Sequence, residues 1–180
     1  MKFIKISLPV LLLAMTSSCI KKADTSEKYF SDPMLYCSTV KKLNNVVLEN
    51  NFPPMIGSRN YAYANIAAYE CMAAGNKQFR SLAGQVNQLP PMPVPGAGKR
   101  INFNLAALLA FTKLGNAVTF PEGSLMAYYE ELKHNADSVG MPADVLENTL
   151  EFSDLVAAAI MRWSKKDKYA QTRTAERYFV

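Results

Sequence analysis

The sequence predicts an all-α fold, and three observations carry that reading. Apolar residues recur at steps of three and four along most of the chain after residue 32. No segment longer than four residues alternates in the manner of a strand, and no Asn-Gly or Asp-Gly hairpin turn occurs. Prolines and glycines fall mainly between the periodic stretches, where they act as stops. About five helices are expected, forming a bundle with one long Pro/Gly-rich crossover and belonging to a larger helical fold. There is no internal repeat.

The chain opens on a targeting segment. Lys2 and Lys5 make a positive start, Ile6 to Met15 is a short apolar run, and Thr16, Ser17 and Ser18 are small residues set directly before Cys19. Ten apolar-dominated residues cannot cross a hydrocarbon core of about 30 Å, which takes roughly 20 residues of helix. Residues 1–18 therefore read as a bacterial lipoprotein signal that leaves Cys19 lipidated, against the alternative of an ordinary secretory signal with a chance cysteine. Lys2 and Lys5 would leave with the signal, so part of the basic excess is targeting. Residues 19–31 are polar and charged without apolar period and read as a tether. Residues 32–180 are the helical domain.

Asp32 before Pro33 is an N-cap followed by proline at the first helical position. Tyr36, Val40, Leu43 and Val47 then mark one face of a helix reaching about Glu49, which Phe52, Pro53 and Pro54 end. Ser58 is the next candidate cap, for a helix from Arg59 to about Ala74 with Gly75 as its stop. That helix is apolar nearly all round apart from Asn65 and Glu70, the pattern of a helix buried on every side, so it is expected at the centre. Residues 76–98 have no sustained period and hold Pro90, Pro91, Pro93 and Pro95, an irregular crossover. Ile101 to about Phe120 is a third helix, with Gly115 as a candidate break. A fourth runs from Glu122 to Val139, with Leu125, Tyr129, Leu132, Ala136 and Val139 on one stripe and Gly140 as its stop. Met141 and Pro142 open a fifth, whose inner face is Val145, Phe152, Val156, Ile160 and Trp163. Arg162, Lys165, Lys166 and Lys168 crowd its C-terminal end, where cations complement the helix dipole.

Composition narrows the chemistry. The 180 residues are 49% hydrophobic and 19% charged, which suits one packed domain and excludes a disordered tail. A formal charge of +5 falls short of a dedicated nucleic-acid binder, and no nucleic-acid partner is expected. The single histidine, His134, lies on the polar side of the fourth helix and reads as exposed rather than catalytic. Without a second histidine, a metal site built from imidazoles is excluded. Glu130, Glu131 and Asp137 read as a solvated face, and Ser81 does not sit in a nucleophile elbow. Pro95 to Arg100 resembles a phosphate loop only loosely, lacking its leading glycine and its Gly-Lys-Ser/Thr ending. Lys165, Lys166, Lys168, Arg173 and Arg177 read as a solvated basic stretch before an anion site. Cys37 and Cys71 are expected as two separate buried thiols rather than a disulfide.

Three segments together carry a resemblance. Residues 59–70 (RNYAYANIAAYE), 81–90 (SLAGQVNQLP) and 163–169 (WSKKDKY), in this order behind a lipoprotein signal, resemble the N-terminal half of bacterial vanadium-dependent haloperoxidase-like proteins of the type 2 phosphatidic acid phosphatase superfamily. The resemblance covers most of the chain after the signal and lies in scaffold features. It implies an all-helical fold around a phosphate or vanadate site. In that family the oxyanion pocket comes from a later part of the chain, with a Lys and Arg set, a Pro-Ser-Gly-His segment and a final Arg/His segment, and a histidine serves as nucleophile or vanadium ligand. None of these patterns occurs here: His134 follows lysine. The resemblance therefore transfers no catalytic, cofactor-binding or metal-binding residue. It implies the front half of such a protein, with vanadate or phosphate bound by the half that is missing.

Three readings follow from the sequence. The first is a scaffold portion of a lipid-anchored phosphatase- or haloperoxidase-like protein of the cell envelope, inactive alone and prone to self-association. The second is a free-standing helical lipoprotein that binds a partner or small ligand through the crossover. The third, a complete enzyme, finds no motif to support it. The membrane is the expected partner, reached through lipid on Cys19. Cys19→Ala is expected to abolish incorporation of labelled fatty acid and to release the protein from membranes; unchanged labelling and retention would refute the assignment.

Overall fold

The computed structural model describes residues 23–120 and 124–176. Among these residues the fold is all helical, with a single isolated bridge between Ala83 and Val86 and no strand. Seven helices follow in order: α1 (Ser26–Phe30), α2 (Pro33–Glu49), α3 (Pro54–Gly75), α4 (Phe103–Thr119), α5 (Met126–Ser138), α6 (Ala143–Lys166) and α7 (Tyr169–Thr174).

The helix boundaries follow local chemistry. Asp32 caps α2, its Oδ1 accepting from the Met34 N–H at 2.9 Å. α3 begins at Pro54, earlier than the expected cap at Ser58, whose hydroxyl instead donates to the Met55 carbonyl inside the first turns. Proline at the first helical position lacks only an N–H that would have had no partner within the helix, so Pro54 opens α3 rather than merely ending α2. Gly140 ends α5 as expected, at φ 79°, with the Met141 N–H donating to the Ala136 carbonyl at 3.0 Å. α4 runs unbroken through Gly115. A Cβ there would lie 3.0 Å from Leu125 Cδ1 and 3.4 Å from Leu43 Cδ1, so this glycine admits neighbours instead of breaking the helix.

The central helix is α4, not the one expected. Leu105 to Thr112 form an unbroken buried run, and α4 is packed by α1, α2, α3, α5 and α6. α3 is its principal neighbour but leaves Ala62 and Ala74 exposed. Small residues explain the closeness of the pair: Ala64, Ala67, Ala68 and Cys71 of α3 share a core with Ala106, Ala107 and Ala110 of α4. Gly75 contributes to the same approach, since a Cβ there would fall 2.3 Å from the Phe103 ring. α6 covers another side with Phe152, Val156, Ile160 and Trp163, the stripe read from the sequence. α1, α5 and the start of α6 close a second cluster around Leu105, Leu108 and Leu109.

Two expectations need correction. The segment read as a tether contains α1, whose Phe30 is 3% exposed in the second cluster, and Thr25 bonds backbone to backbone with Val139 at 3.0 Å. Two adjacent aromatic residues, Tyr29 and Phe30, in a polar stretch make no period to reveal it. Cys37 is exposed, while Cys71 is buried as expected; both are free.

Leu109→Ala should cost about 2–5 kcal/mol, because it opens a cavity at a fully buried position of α4. Ala62→Glu on the outer face of α3 should stay within about 0.5 kcal/mol. Urea midpoints of both variants check the order; equal losses would contradict the central place of α4.

Candidate functional site

The three sequence segments that carry the resemblance meet at one junction. Arg59, Asn60 and Tyr63 lie within one turn of α3 and so point to one side. After α6, Lys168 takes a left-handed backbone conformation (φ 55°), which turns the chain and returns Tyr169 to the core. The Arg59 guanidinium donates to the Tyr63 hydroxyl at 3.0 and 2.8 Å, and to both the carbonyl and Oδ2 of Asp167 at 2.7 Å. The Tyr63 hydroxyl donates to Asp167 Oδ2 at 2.6 Å. The Tyr169 hydroxyl donates to the Val118 carbonyl at 2.9 Å and also contacts Asn60 Oδ1. Trp163 and Tyr169 meet the Tyr63 ring edge to face at 5.6 and 5.4 Å.

The middle segment is tied in from the other side. Trp163 Nε1 donates to the Asn87 carbonyl at 3.1 Å. Glu70, only 2% exposed, accepts from the Ser81 hydroxyl at 2.8 Å and the Leu82 N–H at 2.7 Å. A buried carboxylate on α3 thus fixes the start of the crossover, a role that its place on an apolar helix did not reveal.

Electrostatically the junction is closed. Burial, assisted by the bond to Asp167, pushes the Tyr63 phenol up to about 12. Burial opposes the charge on Arg59, but its bonds to Tyr63 and Asp167 outweigh that and hold its pKa above the usual value. The cation is engaged by a fixed carboxylate and a neutral phenol, an arrangement that clamps helices and leaves no activated nucleophile.

The other candidates are dispersed. His134 is exposed, its Nε2 3.5 Å from the Ser138 hydroxyl, with no second histidine to join it. Lys99 and Arg100, from the loosely phosphate-loop-like segment, pair with Glu151 and Asp144 of α6 and fasten the end of the crossover. Lys165, Lys166 and Lys168 are exposed at the end of α6, whereas Arg173 donates to the Val118 and Phe120 carbonyls at 2.8 and 2.9 Å and caps α4. Cys19 and Arg177 lie outside the described residues. Among the described residues no three His, Cys, Asp or Glu side chains converge as a metal site, and no helix is long and apolar enough to cross a membrane. An oxyanion such as vanadate or phosphate needs several converging cationic or N–H donors. The cations here are paired with separate acids, cap a helix or stand apart, so the residues present do not fit that group.

What the structure does offer is space. An open groove of about 510 Å³ lies between the α1–α2 junction, α3 and α4. Asn65 is in its lining, with Oδ1 accepting from the Tyr36 hydroxyl at 2.8 Å and Nδ2 donating to the Tyr61 carbonyl at 2.8 Å. A second cavity of about 420 Å³ lies between the end of α4, α6 and α7.

The raised Tyr63 phenol sets a sign for alkaline behaviour. Its pKa lies above the unfolded value of 10, so its stabilising effect is complete below pH 10 and is lost as pH rises towards 12. Tyr36 and Tyr129 are raised by burial in the same sense. Tyr63→Phe should cost about 1 kcal/mol at neutral pH and flatten part of the decline between pH 10 and 12. Urea melts at pH 7, 10 and 11 provide the measurement, and an unchanged alkaline slope would contradict the assignment.

No family model matches the sequence, and no curated protein matches it. Among solved structures, a bacterial vanadium-dependent iodoperoxidase superposes with a TM-score of 0.74 and 32% sequence identity, over 82% of this chain and 35% of that one. The chain thus spans about a third of the length of the structure it matches. The helical arrangement described above is a haloperoxidase-like fold.

Proposed function

We propose that the chain is the N-terminal scaffold portion of a lipid-anchored haloperoxidase- or acid-phosphatase-like protein of the bacterial cell envelope. The observation that carries this reading is the likeness to the iodoperoxidase, which reaches most of this chain at substantial identity and only a minority of the other. The junction of Arg59, Tyr63, Trp163 and Tyr169 supports it, because the resembling segments are the ones the helices bring together. The parent chemistry would be phosphate ester hydrolysis or vanadate-dependent halide oxidation, with the oxyanion held by residues outside this segment. Export and anchoring would follow from the signal and from lipid on Cys19.

The scaffold's part in such a protein is positional. It presents rigid helices against which a catalytic portion packs, and it leaves apolar side chains for that portion to cover. Met34, Leu48, Met55, Phe120 and Leu155 are exposed large apolar residues. The competing reading, a free-standing helical lipoprotein that acts as a binding module, draws its support from the groove beside α3.

The purified chain is expected to show no hydrolysis of p-nitrophenyl phosphate and no oxidation of iodide or bromide with vanadate and peroxide. Its uncovered apolar residues should also make it self-associate in sedimentation and bind a hydrophobic dye. Turnover abolished by His134→Ala would overturn the scaffold reading and the dismissal of that histidine. A dye-negative monomer with a sharp melt would favour the binding module.

A further inference from the structure

The groove beside α3 has a composition that selects among ligands. Four aromatic residues contribute to its lining: Phe30 at the end of α1, Tyr36 on α2, Tyr69 on α3, and Phe79 on the first turn of the crossover. Phe79 meets Tyr69 edge to face at 6.2 Å and remains 45% exposed, so it stands at the mouth. The Tyr69 hydroxyl is held by the Arg80 carbonyl at 2.9 Å, which fixes that wall. Asp32 lines the same space, and among the described residues no lysine, arginine or histidine does. Lys77 and Arg80 flank Phe79 in sequence but lie outside the lining.

Two physical terms then act in one direction. Aromatic faces attract a cation through their quadrupoles, more strongly where water is partly excluded. The Asp32 carboxylate adds a Coulombic preference of the same sign. An anion would meet the Asp32 carboxylate with no cation in the lining to offset it. The volume of about 510 Å³ is that of an ordinary small-molecule cleft, and Ser31, Asn65 and Asn104 set neutral polar groups among its apolar and aromatic residues. We propose that this groove binds a soluble organic ammonium, an amine or quaternary ammonium carrying an apolar body. The ammonium sits among the aromatic rings near Asp32, and the body lies along Ala68, Met72 and Leu108. This site does not depend on the scaffold reading, because its residues all come from α1 to α4 and the crossover turn.

The test uses the full chain and two probes of similar size and opposite charge, benzyltrimethylammonium and phenylacetate, titrated by calorimetry. The cation should saturate one site, and phenylacetate should bind at least about tenfold more weakly. Asp32→Asn keeps the helix cap, since asparagine caps as well as aspartate, and should remove most of that charge preference. Phe79→Ala, at a half-exposed position, should weaken the cation about three- to tenfold without moving the melting temperature. Absence of saturable binding, equal affinity for phenylacetate, or cation affinity unchanged in both variants would overturn the proposal. Self-association that Phe79→Ala abolishes, without cation binding, would instead assign the groove to a second copy of the chain.

Discussion

The near-complete burial of α4 is the constraint on which the rest of the molecule depends. A helix enclosed over most of its surface needs its buried polar groups satisfied internally, and this one manages it; Lys113 and Ala117 are left at a solvated edge. Thr112 and Thr119 donate their hydroxyls to the carbonyls of Leu108 and Gly115 one turn back, at 2.7 and 2.8 Å. Asn102 caps the first turn by accepting from the Leu105 N–H at 2.8 Å. With its buried polar groups satisfied, α4 takes neighbours on most sides, and each neighbour has one face shaped for it. Alanines and Cys71 on α3 allow close approach, while the wider stripe of α6 brings Phe152 and Ile160. Gly115 and Gly75 act where side chains from α2, the α5 entry and α4 itself come nearest.

The polar residues of α3 form the next level. Arg59, Asn60, Asn65 and Glu70 sit on a helix that its apolar composition marks for burial, and each of them contacts a different element. Arg59 engages the α6–α7 turn, Asn60 touches Tyr169, Asn65 holds Tyr36 of α2, and Glu70 holds the crossover. A buried carboxylate such as Glu70 is tolerable because two donors meet its two oxygens. The result is a helix that packs through small residues and organises its surroundings through a few hydrogen bonds. The long crossover, which lacks regular structure over residues 76–102, is held at its start by Glu70, in its middle by Trp163, and at its end by Lys99 and Arg100.

The fold was legible in the sequence wherever one signal dominated. The stripes of α2, α5 and α6 were plain because polar residues separate their apolar positions. α3 and α4 both lack that contrast, and composition alone could not say which of them is enclosed; the answer lies in how many neighbours each acquires. α7 was hidden because Lys165 to Arg173 reads as a run of solvated charge, whereas Tyr169 in its midst is 7% exposed. The junction was legible only as a resemblance. Nothing in the spacing of Arg59, Asn87 and Trp163 places them together, since their meeting requires the turn at Lys168 and the path of the crossover. The groove left no sequence signal, because its walls come from four helices and the crossover turn.

The distribution of charge bears on the kind of chemistry such a structure can perform. A site that holds an oxyanion keeps several cationic donors converging on one point without fixed counter-ions, which costs stability until the anion arrives. Here the opposite pattern recurs. Arg59 faces Asp167, Lys99 faces Glu151, Arg100 faces Asp144, Lys113 faces Asp154, and Lys133 faces Glu130. Arg173 is directed at the carbonyl end of α4, where a cation complements the helix dipole. Apart from Lys133, whose partner lies one turn away on the same helix, each of these cations joins two parts of the chain and already has a fixed counter-ion or carbonyl. The remaining lysines at the end of α6 project into solvent from successive positions and have no common focus. A chain arranged in this way directs its charge to holding helices in place, the property a scaffold requires. The aromatic groove, which no paired cation enters, is left as the surface with the clearest chemical selectivity of its own.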